Sequence, residues 1–75
     1  MPKLPVLSAK DVIKILNKAG FHYSRQKGSH IVMVKFVSDK KIIVVIPNHK
    51  EIDPGTLLSI MGQSNMTKED FFKNI

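Results

Sequence analysis

Between Gly20 and Pro47 the sequence reads as three extended runs separated by two short interruptions. Residues 21–26 and 29–36 flank Lys27-Gly28, and Lys41 to Ile46 follows the turn Val37-Ser38-Asp39-Lys40. Strands joined by so few residues pair antiparallel, because a parallel partner needs a crossover of about a dozen residues or more. The middle of the chain is therefore expected to form an antiparallel meander. Its apolar face has to be covered by what the flanking segments supply.

Those segments read as helices. Ser8 suits an N-cap, and Asp11 three residues on completes a capping-box pair and favours the positive end of the helix dipole. Ala9, Val12, Ile13, Leu16 and Ala19 form an apolar stripe at helical spacing, and Gly20 is the expected stop. Lys10, Lys14 and Lys18 repeat every four residues on the opposite face. Asp53-Pro54 reads as an N-cap followed by an N1 proline. The helix it opens carries Leu57, Leu58, Ile60 and Met61, with Gly62 as its expected end. Thr67 and Asp70 repeat the capping pattern ahead of Phe71, Phe72 and Ile75. Before Ser8, two prolines make residues 1–7 a short extended arm. The expected order is α-β-β-β-α-α, with helices on one face of a three-stranded antiparallel sheet. That is an α+β architecture in a single domain spanning residues 1–75.

A two-residue loop at Lys27-Gly28 sets a specific register. Phe21 then faces Val34, Tyr23 faces Val32 and Arg25 faces His30. The face carrying Phe21, Tyr23, Arg25, His30, Val32, Val34 and Phe36 is expected to pack under the helices, with Arg25 and His30 at its wet rim. The other face, which includes His22, leaves Ile31 and Met33 exposed for a partner. Lys41 to Ile46 is nearly continuous in β-branched residues, the pattern of a strand buried on both faces.

Charge narrows the function. The net charge is +6, and residues 1–41 hold nine Lys/Arg against two acidic residues, while residues 42–75 hold three against four. One part of the molecule is suited to a polyanion. There is no cysteine, so disulfides and thiolate metal sites are excluded. The three histidines lack metal-ligand spacing, and the acidic residues are too scattered for a two-metal centre. No cofactor and no metal are expected. The chain lacks a signal-peptide core and a membrane-spanning run, and the expected location is the cytoplasm.

His30 is the catalytic candidate, because an unperturbed imidazole gives and takes protons near neutrality. RNA can be cleaved by its own 2′-hydroxyl when a base removes that proton, an acid protonates the leaving oxygen and cations stabilise the phosphorane. Gly28 supplies the turn, Ser29 adjoins His30, and Arg25 and Lys27 supply cations. Lys10, Lys14 and Lys18 offer a ridge for the phosphate backbone. His49, in the loop after Pro47, is a site-proximal candidate.

The succession Gly28-Ser29-His30, Ile46-Pro47-Asn48-His49, Gly55-Thr56-Leu57 and Glu69-Asp70-Phe71 resembles the HicA toxins, also called YcfA-like mRNA interferases. The resemblance runs from about Ser8 to Phe72. It implies a fold similar to the double-stranded-RNA-binding domain, mRNA cleavage that inhibits translation and growth, and catalysis by the histidine of the Gly-Ser-His motif, here His30. It also implies a HicB-like antitoxin partner that covers the active site, and no metal requirement. The toxin alone is expected to be a monomer. Ile31-Val32-Met33 is more apolar than the family pattern, and Gln63-Ser64-Asn65-Met66 is a less typical link. Two rivals remain: a non-catalytic RNA-binding module on the same fold, and a protein-interaction domain that uses Ile31, Met33 and the C-terminal phenylalanines.

Overall fold

The computed structural model describes residues 6–74. Helix α1 (Ala9–Lys18) is followed by strands β1 (His22–Lys27), β2 (His30–Val37) and β3 (Lys40–Pro47), then helices α2 (Pro54–Ser64) and α3 (Lys68–Lys73). The strands form one antiparallel sheet in the order β1-β2-β3. Helices cover one face of it, as expected for this α+β class. Ile75 and residues 1–5 of the expected arm lie outside the described residues. Leu7 ends that arm by bridging to Ile52, whose N–H donates to the Leu7 carbonyl at 2.8 Å, and Leu7 is buried.

Each helix starts where its cap is written. The Asp11 N–H donates to the Ser8 hydroxyl at 3.2 Å, and the Ser8 N–H donates back to the Asp11 carboxylate at 3.0 Å. The α1 face turned to the core carries Ala9, Val12, Ile15 and Leu16. Ile15 thus takes the place expected for Ile13, which is only half-buried. Gly20 adopts a φ of +100° just past the helix, where a left-handed residue is cheapest.

The expected end of α2 at Gly62 is corrected. The helix runs through Gly62 to Ser64, and Asn65 closes it with a φ of 59°. Both extra residues have a partner: the buried Ser64 donates to the Met61 carbonyl at 2.8 Å, and the Gln63 side chain accepts the Val45 N–H at 3.0 Å. A glycine costs a helix interior only about 1 kcal/mol relative to alanine, so contacts of this kind override it.

The register is also corrected, and with it the choice of face. The β1–β2 loop is Gly28-Ser29, so Lys27 pairs with His30, Gln26 with Ile31 and Arg25 with Val32. A bulge at Ser24 then shifts the pairing, putting Tyr23 opposite Met33 and His22 opposite Val34. Gly28 sits at the first loop position with a φ of +60°, which a type II′ hairpin turn requires there. A one-residue shift in a strand moves every side chain to the other face. Ile31 and Met33 are accordingly core residues, together with Val44 and Ile46 of β3, Phe21, and Leu57, Ile60 and Phe71 of the helices. His30, Val32, Val34 and Phe36 lie on the open face. The β3 run is not buried on both sides, since Ile43 and Val45 face outward and are 49 and 38% exposed.

Candidate functional site

The start of β2 joins three pieces of chain. Gly28 turns the hairpin, His30 opens the strand, and the cross-strand neighbours of His30 are Lys27 on one side and Pro47 on the other. The Asn48 N–H donates to the Ser29 carbonyl at 2.7 Å, which holds the loop after β3 against the hairpin turn. One residue further, the His49 carbonyl accepts the Ala9 N–H at 3.0 Å. Two backbone bonds therefore bring the hairpin turn, the Asn48–His49 loop and the start of α1 to one end of the molecule.

Side chains at this end are free to meet a ligand. Lys27, Ser29, His30, Asn48, His49 and Lys50 are all exposed. Directly opposed residues share a face, and so do residues two apart. His30, Lys27 and Arg25 therefore project to the open side of the sheet, the cations lying on the strand beside the histidine. The Gln26 amide donates to the Gly28 carbonyl at 3.0 Å and braces the turn from the other face. Around the corner, Ser8, Lys10, Asn48, His49 and Lys50 line a cleft of about 400 Å³. Lys50 was not singled out by sequence reasoning. Its signal was its place directly after His49 in a loop following a buried strand.

The lysine ladder does not act as one row beside His30. Lys10 reaches the His49 cleft, while Lys14 and Lys18 border a separate groove of about 190 Å³ with Leu7, Asp11, Ile15 and Asn74. All three are exposed on the helix layer, whereas His30 lies on the far side of the sheet. His22, expected on the face opposite His30, shares the open face because of the bulge.

Two carboxylates are held below the usual range, and both belong to helix caps. The Ser8 backbone N–H, then its hydroxyl, stabilise ionised Asp11. The Thr56 hydroxyl at 2.7 Å, then its N–H at 3.1 Å, do the same for Asp53. Their charge serves the helices. Among the described residues, no three His, Asp or Glu side chains converge to hold a metal ion. No described helix is long and apolar enough to cross a membrane.

The arrangement can hold an anion at Lys27 and Arg25 and present an imidazole to it. Comparison with known proteins gives a family. A family model described as the HicA toxin of bacterial toxin–antitoxin systems matches residues 9–66. No curated protein matches the chain.

Proposed function

From the premise that the chain belongs to the HicA toxin family of bacterial toxin–antitoxin systems, we propose that it is a metal-independent endoribonuclease acting on mRNA in the cytoplasm. The observation that carries this reading is the pairing of Lys27 with His30 at the exposed mouth of the β1–β2 hairpin, with Arg25 on the same face.

In this reading the scissile phosphate sits between the Lys27 and Arg25 cations, which offset the charge that builds on the phosphorane. His30 takes the proton from the 2′-hydroxyl. The 2′-oxygen then bonds to phosphorus as the bond to the 5′-oxygen breaks, water protonates that leaving oxygen, and the hydroxide so formed takes the proton back from His30. The products are a 2′,3′-cyclic phosphate and a 5′-hydroxyl. Gly28 and Ser29 shape the approach to the phosphate, and Lys10 and His49, around the corner in the neighbouring cleft, offer a further place for the RNA backbone. Lys14 and Lys18 contribute long-range attraction, not contact beside His30. A HicB-like antitoxin is the neutralising partner, and the free toxin works as a monomer.

The test is cleavage of a defined RNA in EDTA by wild type beside His30→Ala. Fragments ending in cyclic phosphate from wild type alone support the reading. RNA bound without fragments between about pH 5 and 8, the range in which histidine titrates, replaces it with a non-catalytic RNA-binding module.

A further inference from the structure

The open face of the sheet carries an aromatic ring that no helix covers. Phe36 is 68% exposed and lies on the same face as His30, further along β2. Between them Val32, Val34, Ile43 and Val45 wall a groove of about 410 Å³, bounded by Ser24, Arg25 and Lys41. Lys41 is the cross-strand neighbour of Phe36, and its ammonium lies 5.9 Å from the ring centroid. One track therefore runs along the open face. His30, Lys27 and Arg25 stand at one end of it, and Phe36 with Lys41 at the other.

We propose that Phe36 is a stacking platform for an unpaired RNA base, and that Lys41 holds a phosphate beside that base. This role rests on the ribonuclease reading above and specifies a single-stranded substrate gripped at a distance from the bond that is cut. An exposed phenylalanine alone carries no message, since much of any protein surface is apolar. Its neighbours give it one. The three strands hold five Lys/Arg and no Asp or Glu, so the face attracts a polyanion and repels a second copy of itself. Every base has a π-face, and bases stack on such rings whatever their sequence. The Lys41 contact does not prevent this. A cation–π contact at an exposed site is weak, and the lysine stem can swing its ammonium from the ring to a phosphate. A duplex cannot use the platform, because its bases are already paired and stacked. Strand geometry sets the spacing. From His30 to Phe36 is about 20 Å along β2, which is about six nucleotides at a stacked rise of about 3.4 Å each and fewer in an extended strand.

The experiment measures equilibrium binding in a His30→Ala background, so that cleavage does not destroy the probe. The probes are a labelled single-stranded RNA of about 12 nucleotides, long enough to reach Phe36 in either direction, and the same sequence as a blunt duplex. Phe36→Leu keeps an apolar side chain and removes the plane. It is expected to weaken single-strand binding by about 5- to 150-fold, the worth of one stacked base, and to leave duplex binding near that of the parent. Phe36→Tyr keeps the plane and should bind the single strand as the parent does. The chain has no tryptophan, so Phe36→Trp adds a single reporter, whose fluorescence should be quenched as single-stranded RNA saturates. Because Phe36 lies outside the core, all three variants should melt near the parent. Equal single-strand affinity for Phe36→Leu and parent overturns the platform and leaves the ribonuclease reading to its own cleavage test. An equal loss for strand and duplex overturns it too, as does a Phe36→Trp signal that RNA does not change. RNA bound by neither the parent nor wild type sinks the ribonuclease reading, and the platform with it.

Discussion

Lys27 stands directly across from His30 in the last residue pair before the Gly28-Ser29 turn. In an antiparallel sheet such neighbours are about 4.5–5.5 Å apart at Cβ, so one phosphate can touch both. The two residues should therefore be separable in function. His30→Ala should lower the cleavage rate by about 10²–10⁴-fold with RNA affinity nearly intact, as loss of a general acid or base does. Lys27→Ala should weaken binding to all RNA sequences and lower the slope of log affinity against log salt by about 1. Cleavage assays and a salt titration of binding measure the two effects.

Register can be tested by stability alone. Met33 is fully buried, while its neighbour Val32 looks out into the open groove. Met33→Ala should cost about 2–5 kcal/mol, enough to threaten folding in so small a chain, and Val32→Ala about 1 kcal/mol or less. Urea denaturation of both variants measures the difference, and equal losses would contradict the observed choice of face.

The two glycines that take positive φ should respond differently to substitution. Gly28 has a φ of +60° and open space where a Cβ would stand, so Gly28→Ala should cost about 1 kcal/mol from backbone strain alone, with no steric clash. Gly20 has a φ of +100°, and an added Cβ would lie 3.2 Å from the Lys35 side chain, whose ammonium sits over the Phe21 ring. Gly20→Ala should therefore lower the melting temperature, with a loss of about 1–2 kcal/mol from backbone strain.

Acid should loosen the helices through their caps. Asp11 and Asp53 have pKa values below the ordinary 3.8 in the folded chain because their carboxylates accept hydrogen bonds from Ser8 and Thr56. A lowered folded value stabilises the protein above the unfolded pKa, and that contribution is lost as pH falls through the folded one. Melting temperature should thus decline below about pH 4, and Asp11→Asn with Asp53→Asn should flatten that decline. At neutral pH, Ser8→Ala should cost about 1 kcal/mol by removing the α1 cap.

Gln63 ties α2 to the edge of the sheet through the Val45 N–H. Gln63→Ala should cost about 1 kcal/mol or less, because water can replace an exposed bond. Amide hydrogen exchange at Val45 should speed up, while exchange at the central-strand residue Met33 changes far less.

Much of this fold is legible in the chain. Ser8 with Asp11, Asp53-Pro54 and Thr67 with Asp70 each mark a helix start that the structure reproduces, because a cap is satisfied by groups within a few residues. The glycine turn at Gly28 ahead of an exposed His30 was legible for the same local reason. Two features were not. The Gly62 stop failed because Gln63 finds its partner in Val45 of β3 and Ser64 is buried by the tertiary packing, neither of which the local pattern of caps and glycines shows. The hairpin register failed because Lys27-Gly28 and Gly28-Ser29 are equally good turns on paper, and the Ser24 bulge leaves no mark in the residue types of β1.

The sequence by itself determined the antiparallel meander, the capped helices and the histidine turn, since each depends on contacts between near neighbours. Only the tertiary structure decided which side of the sheet is inside. Both faces of β2 and β3 are rich in apolar residues, so alternation cannot choose between them. Helices α1 and α2 make the choice by burying Ile31, Met33, Val44 and Ile46. That leaves His30 beside an uncovered row of valine and isoleucine.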